Sequence, residues 1–209
     1  IYGYESMGLF QSDEEVAEAP FQNSKTGAGD IRYKNQNGDD KIDANDRVVL
    51  GDPNPHFLYG LNLSFDYKNF DLGIFFQGIG QQDRIVKDNF IRPLYDATFF
   101  EHQLDYWSPQ NTNAKYPRIL NKDDANHNYE NSDFWMINAG YLRMKNLTLG
   151  YTIPRNVLSS TGFSRVRVYF TANNLFTISD FVPGMDPEAS SAWAYPFART
   201  YSFGLNVQF

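Results

Sequence analysis

The sequence predicts an all-β protein whose antiparallel strands form part of a transmembrane barrel, and three observations lead to this fold class. Apolar and polar residues alternate with period two in five segments, as they do when successive side chains point to opposite faces of a strand. These segments are about 9 to 11 residues long, which suits a tilted membrane span better than the usual strand of about 5 to 6 residues. Their apolar sides begin and end with Tyr or Phe, as expected at the two water interfaces of a membrane.

The first two strands are predicted to form a transmembrane hairpin within residues 57–77. Residues 59–67 place Tyr, Leu, Leu, Phe and Tyr on one side and Gly, Asn, Ser and Asp on the other. Residues 70–77 alternate in the same way, with a single break at Phe75. The two residues between these segments are Lys68 and Asn69, and Asn suits the positive φ of a tight turn.

The last three strands are predicted within residues 141–209. The first of them begins near Tyr141 and ends before Pro154, because Pro cannot donate to a sheet ladder. The second covers residues 165–173, and the third covers residues 200–209 and alternates to its last residue.

Short turns and long loops connect these strands. The opening region covers residues 1–56, and residues 78–140 and 174–199 form two long polar loops. If the C-terminus is periplasmic, as is usual, the short turns near Lys68 and Pro154 are periplasmic and the long segments are extracellular. All of these segments are expected to belong to one barrel domain.

The predicted strands are too few to close a barrel. The smallest bacterial barrels use about 8 strands, and an open sheet edge in lipid leaves hydrogen bonds unsatisfied. The sequence begins at Ile1 with no visible targeting signal. We therefore expect the chain to be part of a longer precursor and of a larger barrel.

Composition excludes several classes of function. The net charge of -7 and the scattered Lys and Arg residues argue against nucleic-acid binding. The absence of Cys excludes disulfides, thiolate metal sites and cysteine nucleophiles. Aromatic residues make up 17% of the chain although its mean hydropathy is -0.52, an unusual pairing for a compact globule.

Residues 35–46, NQNGDDKIDAND, have the oxygen spacing of a calcium loop. The ligands would be the side chains of Asn35, Asn37, Asp39, Asp43 and Asp46 and the carbonyl of Lys41. Asn at the first position, Asp40 in place of the turn glycine and the short Asp46 depart from the motif. The alternative is a turn in which Asn and Asp side chains bond to their own backbone.

Several linked motifs resemble one family over nearly the whole chain. They are GDIRYKNQNGDDKIDANDRVVLGDPNPHFLYGLNLSFDYKNFDLGIFFQG at 29–78, YWSPQNTNAKYPRI at 106–119, YLRMKNLTLGYTIP at 141–154, VRVYFTANNLFTISDFVPGMDPE at 166–188 and YSFGLNVQF at 201–209. In their order they resemble the C-terminal part of a SusC/RagA-type TonB-dependent outer-membrane transporter.

The resemblance implies a barrel of about 22 strands with a plug domain upstream. It further implies energy from the TonB complex, a SusD-like surface lipoprotein as partner, and import of oligosaccharides or peptides across the bacterial outer membrane. The lipid of that membrane would contact the apolar sides of the strands.

The final strand also resembles the signal by which the barrel-assembly machinery recognises its clients. The residues of this signal would be Tyr201, Phe203, Leu205, Val207 and Phe209. The structural alternative, which is compatible with the first, is that Phe209 anchors the strand at the membrane interface.

Aromatic residues in the loops are candidates for substrate contact. Tyr106, Trp107, Trp135 and Trp193 could stack on sugar rings, pack against the lipoprotein, or pack within the loops themselves. On the polar sides of the strands, Arg167, Asn173 and Asn206 could line the substrate route or bond to the plug.

No enzymatic activity is predicted. The histidines His56, His102 and His127 lack metal-ligand spacing, and Gly78-Ile79-Gly80 lacks the rest of a nucleotide motif. The alternative to a transporter is a soluble, secreted carbohydrate-binding β-domain with a calcium loop, whose apolar strand sides would face a shared core. Dependence of the intact protein on detergent distinguishes the two.

Overall fold

A computed structural model describes residues 1–87, 90–94, 99–120, 127–189, 194–195 and 197–209. The described chain divides into two compact units, which we call the loop unit and the sheet unit. The loop unit contains the described residues of Ile1–Asn54 and Asp83–Asn138, and the sheet unit contains those of Pro55–Gln82, Ala139–Ala189 and Ala194–Phe209. The opening region and the first long loop, which the sequence presents as separate segments, thus share one unit.

Strands dominate both units. Within the described residues the strands are, in chain order, β1 (Tyr2–Tyr4), β2 (Ser6–Leu9), β3 (Ile31–Tyr33), β4 (Arg47–Val49), β5 (Leu58–Tyr67), β6 (Phe70–Ile79), β7 (Asp83–Ile85), β8 (Met136–Asn138), β9 (Tyr141–Thr152), β10 (Arg165–Asn173), β11 (Thr177–Ser179) and β12 (Thr200–Gln208). The α-helices described are α1 (Asp13–Glu18) and α2 (Arg155–Leu158), and 3-10 turns occur at Ala44–Asp46, Glu101–Leu104, His127–Tyr129 and Asp133–Trp135. In the described ranges, none of these helical segments is long and apolar enough to cross a membrane. The predicted all-β class is confirmed.

The sheet unit is an antiparallel sheet in the order β12, β10, β9, β6, β5, and β11 also pairs with β9. Each strand predicted from alternation is present, and its bounds differ from the prediction by at most two residues. The partner of β6 is β9, which follows it only after the long loop. Alternation predicts where a strand lies, but it does not predict this non-local pairing.

The hairpin turn between β5 and β6 differs from the prediction in one detail. Tyr67 pairs with Phe70, so that Lys68 and Asn69 are the two turn residues. The positive φ lies at Lys68, at 55°, and not at Asn69. A positive φ at the first turn residue matches the right-handed twist of the strands, and this geometry overrides the residue preference of Asn.

The pairing register gives the sheet one continuous apolar face. In one row across the sheet, Phe65, Leu72, Leu149, Phe170 and Phe203 lie side by side from β5 to β12. The residues of the apolar face are Tyr59, Leu61, Leu63, Phe65, Tyr67, Phe70, Leu72, Ile74, Phe76, Leu142, Met144, Leu147, Leu149, Tyr151, Val166, Val168, Phe170, Ala172, Tyr201, Phe203, Leu205 and Val207. Many of them are exposed, and Phe203 is 83% exposed.

The opposite face of the sheet is polar. The neighbouring row reads Ser64, Gly73, Thr148, Thr171 and Ser202. The residues of the polar face are Asn62, Ser64, Asp66, Asp71, Gly73, Phe75, Gln77, Arg143, Asn146, Thr148, Gly150, Thr152, Arg165, Arg167, Tyr169, Thr171, Asn173, Thr200, Ser202, Gly204, Asn206 and Gln208. Phe75, the residue that breaks the alternation in the sequence, therefore places an aromatic ring on an otherwise polar surface.

A β-bulge in β9 keeps the two faces separate. Phe75 pairs with Asn146 while the next residue, Phe76, pairs with Met144, so Lys145 is the extra residue of β9. Without the bulge, the alternation before Lys145 and the alternation after it would be out of phase. A bulge inserts one residue and realigns the side chains beyond it. Met144 and Leu147 therefore both lie on the apolar face.

The loop unit has a hydrophobic core of its own. Its buried residues come from both separated segments of the chain, with Tyr4, Ile31 and Tyr33 from the opening region and Ile91 and Trp135 from the long loop. The Tyr4 and Tyr33 rings stack with their centroids 5.0 Å apart. Burial raises the pKa of Tyr33 and raises that of Tyr129 to about 12. These segments therefore fold on each other through apolar contacts distant in sequence.

A buried polar network ties the same two segments together. Arg118 donates from Nε to Oδ1 of Asp30 at 2.8 Å and from Nη2 to Oδ2 at 2.9 Å. Asn128 donates to Asp30 at 2.8 Å and accepts from the backbone N–H of Ile31 at 2.8 Å. Trp135 donates from its indole N–H to the Asn128 carbonyl at 2.6 Å. The buried side chains of Asp30 and Asn128 thereby have hydrogen-bond partners where the segments meet.

Helix α1 was not predicted. Ser12 caps it by accepting from the backbone N–H of Glu15 at 3.3 Å, and its first turn is acidic, as suits a helix N-terminus. Ser12 followed three residues later by Glu15 was the available sequence signal.

Candidate functional site

The polar face carries charged clusters at both ends. We call the end near β9 residue Tyr141 the loop end, because long segments join the strands there, and the opposite end, near Lys68 and residues 153–164, the turn end. Charged side chains on a sheet face need partners or water, and each cluster uses residues from several strands.

Arg143 is the centre of the loop-end cluster. This side chain is only 2% exposed, and it forms ion pairs with Asp186 at 2.5 Å and with Glu188 at 2.6 Å. Its Nε donates to the hydroxyl of Thr177 at 2.8 Å. A buried guanidinium is tolerated when its charge is matched by carboxylates in this way. The segment after β11 is thereby held against β9.

The bulge brings a second cation to the same cluster. Lys145 donates to Glu188 at 2.7 Å, and the Tyr141 hydroxyl donates to the other oxygen of Glu188, also at 2.7 Å. The Phe197 ring lies 5.2 Å from the Arg143 guanidinium and 5.0 Å from the Lys145 ammonium. Cations over an aromatic face gain electrostatic attraction, so Phe197 closes the cluster on one side.

Asp186 accepts hydrogen bonds from Arg143 and from the backbone N–H groups of Glu188 and Phe197. Burial by itself raises the pKa of Asp186, but the hydrogen bond from Arg143 and the backbone amides of Glu188 and Phe197 outweigh it and lower the pKa below its ordinary value. The ionised carboxylate is therefore the form that anchors the segment.

A cavity of about 370 Å³ adjoins the loop-end cluster. Its walls include Arg143, Asn174, Thr177, Phe181 and Phe197. Hydroxyl, amide and aromatic groups together suit a polar ligand that also presents an apolar surface. The sequence did not single out this cavity, although the phase shift in β9 and the carboxylates in Asp186-Pro187-Glu188 were visible signals.

The turn-end cluster contains an ion pair between Arg167 of β10 and Asp71 of β6. The Arg167 guanidinium also lies 5.1 Å from the Tyr169 ring. The other residues proposed for a substrate route, Asn173 and Asn206, lie on the polar face as well. Asn173 accepts from Asn146 at 2.9 Å and donates to Thr200 at 3.0 Å. A role of these three residues in a substrate route stays a prediction.

The candidate ring-stacking residues are distributed within the loop unit. Trp107 and Trp135 are buried, with Trp107 donating to Gln11 at 3.1 Å, whereas Tyr106 is 37% exposed. Trp193 lies outside the described residues. Burial of the two tryptophans fits the alternative of packing within the loops. Substrate contact by any of the four stays a prediction.

The Asx-rich loop at 35–46 is held by its own side chains. Asp46 is fully buried and accepts from the backbone N–H groups of Gln36 and Asp43, each at 2.8 Å. Asp39 accepts from the N–H of Lys41 at 3.0 Å, and the Lys41 ammonium pairs with Asp43 at 2.7 Å. The Lys41 hydrogen bond lowers the pKa of Asp43.

These contacts test whether the loop fits a calcium ion. Asn35 and Asn37 also use their side-chain oxygens within the loop, accepting from the N–H groups of Gly38 and Asp39. No group of three or more His, Cys, Asp or Glu side chains among the described residues is arranged to hold a metal ion. These contacts fit the backbone-bonded turn, and calcium binding stays a prediction.

The last strand exposes its apolar residues. Tyr201, Phe203, Leu205 and Val207 lie on the apolar face, and the ring of Phe209 contacts that of Phe163 at 5.3 Å between centroids. Their recognition by the assembly machinery stays a prediction.

The chain is similar to TonB-dependent receptors along its whole length. It is 30% identical over 224 residues to TonB-dependent receptor P3 of Formosa agariphila, covering 100% of this chain and 22% of that protein. It is also 30% identical over 213 residues to TonB-dependent receptor SusC of Bacteroides thetaiotaomicron, covering 100% of this chain and 20% of that protein. The chain thus spans about a fifth of the length of these relatives. No family model matches it.

Solved structures share the fold. The chain superposes on a structure described as the RagAB peptide transporter with a TM-score of 0.74 and 21% identity, covering 100% of this chain and 22% of that one. The RagAB peptide importer in its "open-open" state gives a TM-score of 0.72 at 20% identity, with the same coverage of both chains. The relatives are named receptors and the structures a transporter or an importer, and none of these names denotes an enzyme.

Proposed function

We infer that this chain, which belongs to the SusC/RagA-type TonB-dependent transporters, forms part of the wall of an outer-membrane channel that imports oligosaccharides or peptides. The observation that carries the inference is the separation of the sheet into one continuous apolar face and one polar face. Alternation of this kind is what a barrel between lipid and a polar lumen requires.

The exposure of the apolar face favours lipid over a shared soluble core. Tyr67, Phe70, Tyr201, Phe203 and Leu205 are each more than half exposed. Monomeric soluble proteins rarely leave so broad an apolar surface in water. Hydrocarbon chains would cover this surface, and pairing of β5 and β12 with further strands would satisfy their free edges.

The polar face would then line the passage, with its loop-end cavity nearest the cell exterior. Ring and hydrogen-bonding groups there suit either a sugar or a peptide. The names of the similar proteins support both cargo classes, since SusC and a peptide transporter are among them.

The partners are proposed on the same basis. A SusD-like lipoprotein would cover the loop end, the TonB complex would supply energy through parts of the protein outside this chain, and the barrel-assembly machinery would insert it. These proposals rest on similarity to SusC and RagAB.

Fractionation and uptake by cells test the proposal. We expect the intact protein to pellet with outer membranes, to require detergent for extraction, and to support uptake of a labelled oligosaccharide or peptide that a deletion strain does not take up. Recovery of the intact protein in soluble form without detergent would contradict the proposal and favour the secreted carbohydrate-binding domain. If the protein is in the outer membrane but neither cargo class is taken up, the import function would be contradicted and the membrane location would stand.

A further inference from the structure

A cleft with unpaired cations lies at the turn end of the polar face. Its volume is about 540 Å³, and its lining includes Asp66, Lys68, Asp71, Arg155 and Arg165. It is formed where the β5–β6 turn, the start of α2 and the start of β10 meet. The cleft lies at the opposite end of the sheet from the cavity beside Arg143.

The cleft is cationic because one of its two carboxylates is already neutralised. Asp71 is bound by both Nε and Nη2 of Arg167. Asp66 is then the one carboxylate lining the cleft whose charge is not matched by an ion pair. Three cations stand against it, in a protein whose net charge is -7.

The three cations are exposed and available. Among the residues that the structure describes, Lys68, Arg155 and Arg165 form no salt bridge. The Lys68 ammonium lies 5.3 Å from the centre of the Tyr67 ring. Guanidinium groups bind carboxylates through two parallel hydrogen bonds, and ammonium groups act as point charges. A cluster of such groups attracts an anionic partner over roughly 10 Å at moderate salt.

We propose that Lys68, Arg155 and Arg165 bind a carboxylate-rich polypeptide segment in this cleft. The cleft is several times larger than a single carboxylate, and its cations come from three separate chain segments, so an extended peptide with spaced acidic side chains matches it. Lining residues Asp66, Asp71 and Arg165 lie on the polar face. The proposal rests on the proposed function, because these lining residues lie on the face that would line the passage. The Lys68 ammonium lies beside the Tyr67 ring of the apolar face, so an anionic lipid headgroup is the alternative occupant that the experiment must distinguish.

The binding of an acidic peptide by the intact, detergent-solubilised protein tests the proposal. The probe is a fluorescent peptide of alternating Glu and Gly, followed by anisotropy, and a Lys and Gly peptide serves as the opposite-charge control. We expect the triple variant Lys68→Gln, Arg155→Gln and Arg165→Gln to lose about tenfold or more in affinity, since each charge contact at a partly exposed site contributes modestly. Lys115→Gln, which changes an exposed cation of the loop unit that lines neither the cleft nor the loop-end cavity, should leave the affinity unchanged.

Further measurements keep each outcome decisive. The three single variants are measured beside the triple variant. For each variant, the heat-dependent gel mobility of the folded barrel excludes a general loss of structure. Equal affinity of the triple variant and the wild type would overturn the proposal. Loss of binding to phosphatidylglycerol nanodiscs, with peptide binding retained, would overturn it in favour of a lipid site.

Discussion

Arg167 on β10 and Asp71 on β6 form an ion pair across an intervening strand, β9. The Nε of Arg167 donates to Oδ1 of Asp71 at 2.8 Å, and Nη2 donates to Oδ2. The two groups meet above Gly150, which is the register partner of Asp71. The pair can join strands that are not neighbours because Gly150 has no side chain.

We expect Gly150→Val to destabilise the protein more than Gly73→Val. A Cβ at Gly150 would overlap Arg167 Nη2 and the Asp71 carboxylate, whereas a Cβ at Gly73, on the same face, meets nothing within 4 Å. Crowding costs about 1–3 kcal/mol, and an uncrowded surface change stays within about 0.5 kcal/mol. Thermal unfolding in detergent measures both variants, and equal melting temperatures would show that the glycine is not required for the pair.

A pair of adjacent arginine substitutions distinguishes the two faces. Leu149 lies on the apolar face and Thr148 on the polar face of β9. We expect Leu149→Arg to lower the free energy of unfolding by about 2–4 kcal/mol near the membrane midplane, and Thr148→Arg to be tolerated. The yield of folded protein in outer membranes and unfolding in lipid vesicles measure the effect. Similar tolerance of both changes would argue that the apolar face does not contact lipid.

Acidification should release the segment that Asp186 anchors. The pKa of Asp186 is lowered in the folded protein, so its ionised form contributes stability that is complete above the unfolded value of 3.8. That contribution is lost as the pH falls below 3.8 and through the lower folded pKa. We expect pepsin cleavage within residues 174–189 to increase across this window.

Two variants control the acid experiment. Asp186→Asn should make the segment sensitive at every pH and so remove the pH dependence. Asp180→Asn changes an exposed carboxylate of the same segment and should leave the pH dependence of cleavage unchanged. Unchanged pH dependence in Asp186→Asn would assign the transition to another group.

The packing of Trp107 against Gly29 predicts a specific loss of stability in the loop unit. Gly29 and Gly38 both have positive φ, at 86° and 78°, but only a Cβ at Gly29 would overlap the Trp107 ring. Alanine in this backbone region costs about 1–2 kcal/mol at either site. We expect Gly29→Ala to cost a further 1–3 kcal/mol, approximately, through overpacking. Hydrogen exchange of the loop unit compares the two, and equal protection would show that the ring moves aside freely.

The buried Asp46 carboxylate predicts how the Asx-rich loop responds to substitution. Asp46→Ala leaves the N–H groups of Gln36 and Asp43 without acceptors and should cost about 1–3 kcal/mol in the absence of any metal. Unfolding in EGTA measures this effect. The predicted calcium site is tested separately by calorimetric titration with Ca²⁺. A binding heat that the wild type shows and the Asp39→Asn variant does not would establish binding.

The positions of the strands and their two faces follow from the amino-acid sequence alone. Residues 165–173 were predicted as a strand and β10 has those bounds, because alternation with period two is a local property of side chains along one strand. The same alternation distinguished Val168 and Phe170 from Arg167 and Tyr169. Motifs that follow one another in order then indicated the family.

The contacts between segments distant in the chain are visible only in the folded protein. The bulge at Lys145, the burial of Arg143 between Asp186 and Glu188, and the joining of Asp30 with Arg118 all depend on contacts more than 40 residues apart or on a shift in register. Such contacts form because a charge or an aromatic ring can be buried only when partners from elsewhere in the chain surround it. A local pattern shows that such a residue exists, but it does not show which partner compensates it.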